Sequence, residues 1–283
     1  MTTTIKHGNL SAEIKHFGAE LISLKTNQNR EYIWEGNPEF WGKHSPILFP
    51  IVGTLKDNFF YHNEIEYHLS RHGFAREMLF ELIHATENSA TFSIQSSEET
   101  LKVYPFKFEL QLIYTLNENN LSIAYKVTNK GKYTMPFSIG AHPAFALPNQ
   151  FENYAIVFEK EESLDYYLLD NDLISHKTKK LDVTNKKIPL TYELFENDAL
   201  IFKALQSKSL TISENGNPIL TVHFEGFPSL GIWTKMNAPF LCIEPWFGYS
   251  DTNENSGNLL EKEGIQILES NATFYSKFSI EIL

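Results

Sequence analysis

The chain has 283 residues, 42% of them hydrophobic and 14% aromatic, which is ample for a sizeable core and unlike a disordered chain. Its formal net charge is −11 with no Lys/Arg block, which argues against a nucleic-acid surface or an anionic membrane surface. Cys242 is the only cysteine, so no intramolecular disulfide can form. With no basic-then-apolar leader at the N-terminus and no apolar run of membrane-spanning length, the sequence predicts a cytoplasmic protein of a reducing compartment.

In chain order, Leu10–Ile14, Gly18–Leu24 and Tyr32–Trp34 read as short strands. Two prolines frame Ile47-Leu48-Phe49, and Gly53 follows, which places a short buried run between forced bends. Phe60–Tyr67 reads as a hairpin turning at His62-Asn63. Arg71-His72-Gly73-Phe74-Ala75-Arg76 then crowds two guanidiniums and an imidazole around a glycine. Leu79–Thr86 and Ala90–Gln95 alternate, and Glu98–Tyr104 reads as a short connection. The clearest hairpin pairs Phe106–Leu116 with Leu121–Asn129, with Phe108, Leu110, Leu112 and Tyr114 on one face. Residues 152–190 are polar and weakly patterned. Ser209–Ser213, Ile219–Phe224 and Leu230–Thr234 read as further strands, Asn253–Leu268 as a stretch with a helical turn, and Ala272–Ile282 as a closing strand. No fixed-period repeat and no linker interrupts the chain. Many short strands with almost no helical periodicity predict one all-β antiparallel sandwich domain over residues 1–283.

The stretch Phe240–Asp251 is chemically the most informative. An apolar run ends in Glu244, and Pro245 predicts that regular pairing stops there. Trp246, Phe247 and Tyr249 follow. A carboxylate held against aromatics is poorly solvated, which makes it a tunable base. Aromatics beside a few polar atoms also suit a sugar. The plainer alternative is a strand-end glutamate pointing to water. Among the histidines, His142 stands between Gly140-Ala141 and Pro143, His72 in the basic patch, and His44 before Ser45-Pro46. No zinc-type ligand spacing, phosphate-binding glycine loop or nucleophile elbow occurs. A histidine and a glutamate with neither nucleophile nor cofactor suit proton transfer.

Arg71-His72-Gly73-Phe74-Ala75-Arg76, Ile139–Phe145 and Cys242-Ile243-Glu244-Pro245-Trp246 together resemble the motifs of the aldose 1-epimerases, and most closely the branch with LacX-type and hexose-6-phosphate mutarotase-like members. The resemblance runs in order through essentially the whole chain. It implies a galactose mutarotase-like antiparallel β-supersandwich with little helix and an open sugar cleft. It further implies interconversion of α and β anomers of an aldohexose, with or without a phosphate, with no cofactor and no metal. It matches His142 to the family's general acid and Glu244 to its general base, with His142 protonated and Glu244 ionised at rest. His72, Asp198, Arg76, Arg71 and Trp246 are then expected on the substrate. The implied partner is a small sugar, with neither nucleic acid nor membrane, for a monomer or homodimer. One position departs: Thr54 stands where the family usually has an arginine, and Lys56 or Arg71 is expected to compensate. Lys43 and Lys56 join Arg71 and Arg76 as candidates for a phosphate subsite. The rival readings are a non-catalytic sugar-binding protein on the same fold, for which Thr54 argues, and a glycoside hydrolase or lyase using Asp198 and Glu244.

Overall fold

A computed structural model describes residues 1–283, with 51% of them in strands and 8% in helix. Every named strand pairing is antiparallel, so the fold is the all-β antiparallel architecture expected from the sequence. Nine strands form one sheet in the order Lys187–Pro189, Tyr154–Phe158, Ser209–Glu214, Asn217–His223, Thr273–Ile282, Asn120–Asn129, Phe108–Asn117, Ser89–Gln95 and Glu81–Ala85. Its sixth and seventh strands are the predicted hairpin, in which Phe108 pairs with Asn129 and Asn117 with Asn120. Phe108, Leu110, Leu112 and Tyr114 point inward and are buried. A three-stranded meander, Thr2–His7, Leu10–Lys15 and Glu20–Thr26, packs against this sheet, and the Tyr114 hydroxyl donates to the Ala19 carbonyl at 2.6 Å.

The second large sheet runs Leu173–Leu181, Leu164–Asp170, Leu200–Phe202, Ser229–Trp233, Phe240–Phe247, Ile139–Ala141 and Ile47–Leu48, and Ala144–Ala146 also pairs with Phe240–Phe247. Its strands from Leu200–Phe202 to Ile47–Leu48 are almost wholly buried on both faces and read as apolar runs, yet the two-residue period of a strand still sorts their side chains. Leu200, Phe202, Leu230, Ile232, Leu241, Ile243, Ile139 and Ala141 join the main cluster of 65 buried residues. The intervening Ala199, Ile201 and Trp246 belong instead to a separate cluster with Leu48, Val52, Ile174 and Tyr249 on the opposite face.

Two local readings change, and a third is extended. Pairing does not stop at Pro245: the strand continues to Phe247, with Leu230 opposite Pro245. The nitrogen of Pro245 faces the same side as the Ile243 N–H, which donates to the Pro143 carbonyl at 3.4 Å. On that side the ladder is broken between Ala141 and Ala144, so the missing proline N–H deprives no partner. Glu98–Val103 is an α-helix rather than a bare connection. Ser97 and Thr100 form a capping box that a scan for hydrophobic period overlooks. In Asn253–Leu268 the expected helical turn is the 3₁₀ turn Leu259–Glu261, and what is added is the short strand Gln266–Leu268. No helix is long and apolar enough to cross a membrane.

Candidate active site

The break between Ile139–Ala141 and Ala144–Ala146 creates the site. Both pieces pair with Phe240–Phe247, Gly140 opposite Trp246 and Ala144 opposite Cys242. His142 and Pro143 fall in the gap, so the imidazole leaves the sheet on the face that carries Glu244. His142 Nε2 lies 3.3 Å from Glu244 Oε2, with the two side chains 10% and 2% exposed. The glycines beside these residues have a steric function. A Cβ on Gly231 would collide with the benzo ring of Trp246, and one on Gly140 would meet the same indole at Cδ1. Glycine on the two flanking strands therefore lets the indole lie flat across the sheet as the floor of the cavity.

His72 and Asp198 arrive from outside the sheet, and both sit in the left-handed region, with φ of 68° and 76°. That conformation is rare for non-glycine residues and is held here by local bonds. The His72 N–H donates to the Gly53 carbonyl at 2.8 Å, and the Gly53 N–H donates back to His72 Nδ1 at 3.0 Å. The second bond makes Nδ1 the acceptor, so in the neutral ring Nε2 carries the proton. Arg71 Nε–H also points at that Nε2, at 3.3 Å. Two donors then face one another, and the shorter Gly53 bond fixes the tautomer. Asp198 follows the 3₁₀ turn Tyr192–Phe195 and accepts the Ala199 N–H at 2.7 Å.

These residues surround one cavity of about 310 Å³, the size of a small sugar pocket. His72, His142, Asp198, Glu244, Trp246, Arg71 and Arg76 all line it, which is the full set expected from the sequence. Lys43 and Lys56 do not line it. The Lys43 ammonium pairs with Glu77 at 2.6 Å, outside the cavity. Thr54 is buried with an unpartnered Oγ1, and its main chain is tied to Ser250 and Asp251. The guanidiniums of the cavity are therefore Arg71, paired with Asp172 at 2.8 Å, and Arg76, which donates to the Arg71 carbonyl at 2.8 Å. Sequence reasoning missed Trp41, Trp233 and Ser250. Trp233 was readable in principle, two residues beyond Gly231 on a strand, whereas Trp41 lies in an irregular segment with no period to flag it.

Burial dominates the electrostatics. Desolvation pushes the Glu244 carboxyl well above the ordinary carboxylate range, against the pull of Arg71 and Trp246 and with a further push from Asp198. Desolvation, with Arg76 and Arg71 nearby, lowers His142 to about 3 even though its own carbonyl favours the proton. His72 is driven well below the usual histidine value by burial and then by His142 and the two arginines. Burial therefore works against both charges of the imidazolium and carboxylate expected from the sequence.

Apart from the His142–Glu244 contact and the longer approach of Arg76 to Glu77, Glu244 Oε2, Trp246 Nε1 and Arg76 Nε make no well-formed hydrogen bond to the protein. Buried polar atoms of this kind need hydrogen bonds, and a polyol supplies both donors and acceptors. Ligand atoms of His142, Cys242 and Glu244 lie within 4.8 Å of one another, but Cys242 does not line the cavity and sits in a buried apolar cluster with Trp34 and Phe240. Burial and the neighbouring Glu244 push the Cys242 thiol well up, which keeps it protonated and a poor ligand.

Comparison with known proteins gives one consistent answer. The family model described as aldose 1-epimerase matches residues 1–276. The plasmid-encoded protein LacX of Lactococcus lactis subsp. lactis is 37% identical over 280 residues, covering 92% of each chain. A galactose mutarotase related enzyme from Lactobacillus acidophilus superposes with a TM-score of 0.96 at 34% identity, over 100% of this chain and 97% of the other. A galactose mutarotase-like protein from Lactobacillus casei superposes with a TM-score of 0.92 at 29% identity, over 100% of both chains.

Proposed function

The chain belongs to the aldose 1-epimerase family, and on that premise we propose that this isomerase interconverts the α and β anomers of an aldohexose by acid–base ring opening and reclosure. One observation carries the reading: His142 Nε2 and Glu244 Oε2 face each other at 3.3 Å in a cavity of about 310 Å³. The chemistry needs a proton delivered to the ring oxygen while another leaves the O1 hydroxyl. In the proposed mechanism Glu244 takes the O1 proton and His142 protonates the ring oxygen as the C1–O5 bond breaks. Rotation about C1–C2 and reclosure with the roles reversed give the other anomer, and each group contributes about 10²–10⁴-fold.

Burial disfavours the charge on both groups, so sugar binding must favour the ionised Glu244 and protonated His142 that the chemistry uses. Sugar hydroxyls donating to the carboxylate stabilise its charged form in place of water, and Arg71 pulls in the same direction. His72 Nε2–H binds the sugar near its ring oxygen, Asp198 binds hydroxyls, and Trp246 offers a face for the sugar's C–H surface.

A phosphorylated hexose is favoured by a specific observation: the two guanidiniums on the cavity, Arg71 and Arg76. Guanidiniums suit phosphate oxygens through paired N–H donors. Anomer exchange measured on glucose, galactose and their 6-phosphates, with Arg71→Ala and Arg76→Ala beside the parent, tests both levels. A phosphate preference that these variants abolish supports the phosphorylated substrate. Exchange of the free sugar alone confines the reading to an unphosphorylated aldose. We further propose that residues 1–283 act as one domain, as a monomer or homodimer, in the cytoplasm.

A further inference from the structure

The proposed acid has no polar support. A histidine that moves a proton usually has its second nitrogen fixed by a hydrogen bond to a carboxylate or carbonyl, which sets the tautomer and the plane of the ring. His142 Nδ1 has no such partner on any other residue. Packing holds the ring instead. The Trp41 indole stacks on it, with centroids 4.7 Å apart and planes at 28°. Trp233 meets it edge-on at 5.7 Å and 83°, and His72 at 5.8 Å and 85°.

Trp41 is itself held on several sides. Its N–H donates to the Asn37 carbonyl at 2.9 Å, and the Trp34 indole N–H donates to the Trp41 carbonyl at 2.9 Å. Lys235 Nζ ties the preceding Phe40 carbonyl at 2.9 Å. The Trp41 ring also packs against Trp233 at 5.7 Å and Phe240 at 5.9 Å. A loop residue with no regular secondary structure is thus anchored through its backbone and its ring, and what it presents to the cavity is an indole laid on the imidazole.

We infer that Trp41 is a positioning residue: its indole replaces the missing Nδ1 hydrogen bond, fixes the plane of His142 so that Nε2 stays on the Glu244 side, and keeps water off the covered face. A misplacement of about 1 Å in a reacting group can reduce turnover by about 10²-fold. The inference rests on the proposed anomer interconversion, but its physical content, the restraint and desolvation of His142, can be read without turnover.

The test uses the full chain as parent, Trp41→Phe and Trp41→Leu, with Trp41→Met carrying the same readings should the leucine variant not fold. Anomer exchange gives kcat and KM. The imidazole resonance of His142, assigned by its loss in His142→Asn, gives the titration. The titratable or charged groups facing His142 are Glu244, His72, Cys242, Arg71 and Arg76, and none is altered in these variants. For Trp41→Leu, kcat falls by about 10–100-fold with KM changed by less than about threefold, and the His142 titration moves up towards the ordinary histidine range as water reaches the ring. Trp41→Phe recovers most of both. A large rise in KM with kcat unchanged would make Trp41 a sugar platform and overturn the inference, as would an unmoved titration in Trp41→Leu. If the parent exchanges no aldose, the proposed function fails by itself, and the titration still decides the role of Trp41.

Discussion

His142 Nε2 and Glu244 Oε2 stand 3.3 Å apart, and the contact joins a gap in one strand ladder to the middle of the neighbouring strand. Both groups are buried, and burial moves them in opposite directions, His142 down to about 3 and Glu244 well up. Burial thus disfavours the charged form of each group.

The pH profile of kcat/KM should reflect that. The acid limb marks the gain of a second proton, taken by His142, so it should lie far below the ordinary histidine range. The alkaline limb marks loss of the shared proton, so it should lie above the ordinary carboxylate range. An acid limb at the usual histidine value of 6.5 would show that His142 is not desolvated in the working enzyme.

Stability should follow the same groups. The folded pKa of Glu244 is raised, so as pH climbs past about 4.5 the unfolded chain ionises while the native carboxyl does not, and the native state loses stability until its own pKa is reached. Glu244→Gln removes that loss. The variant should melt higher than the parent at neutral pH, with the difference closing near pH 4. His142 has the opposite sense: below 6.5 the unfolded chain binds a proton that the native ring refuses until about 3, so stability falls with pH across that window. Thermal melts of parent, Glu244→Gln and His142→Asn across pH check both signs, and a gap between Glu244→Gln and parent that does not change with pH would remove the desolvated Glu244 from the account.

The floor of the cavity depends on a missing side chain. A Cβ on Gly231 would strike the Trp246 benzo ring, so Gly231→Ala should destabilise by about 1–3 kcal/mol and weaken sugar binding. Trading Trp246 for the smaller Phe in the same chain should recover part of the stability, a coupling that a double-mutant cycle in urea would measure. Additive effects would mean that the two residues do not share the space.

Behind the site, Lys262 Nζ donates to Asp251 at 2.6 Å, and the two side chains are 1% and 3% exposed. Asp251 also accepts the Lys56 N–H at 2.9 Å, and its own N–H donates to the Thr54 carbonyl at 2.8 Å, so the pair anchors the segment that bears Gly53 and Ser250. Lys262→Met leaves a buried carboxylate without its counter-charge and should lower stability by about 3–5 kcal/mol in chemical denaturation. The exposed Lys102–Glu99 pair is the control, and Lys102→Met should barely move the midpoint.

Most of this architecture was legible because it rests on local signals. The Phe108–Asn129 hairpin shows its alternation, and His142 and Glu244 stand out by the glycine and proline beside them. Other features were not legible, each for a physical reason. Strands buried on both faces hide their period, so apart from the carboxylate of Glu244 nothing in Leu241–Trp246 shows that Ile243 faces the core while Trp246 faces the site. The continuation of pairing through Pro245 depends on a break in a neighbouring strand, which is not a local property. Trp41 reaches His142 only through the path of an irregular loop. The pressure on both groups toward their uncharged forms comes from burial that only the assembled fold supplies.

The most direct test of the proposed chemistry is equilibrium exchange between α and β anomers, followed by NMR exchange spectroscopy on glucose, galactose and their 6-phosphates with parent and Glu244→Gln. The account predicts that the parent accelerates exchange of at least one of these sugars, and that Glu244→Gln still binds it but exchanges it at least ~10²-fold more slowly. Exchange by Glu244→Gln as fast as by the parent on every responsive sugar would contradict the assignment of Glu244 as the base.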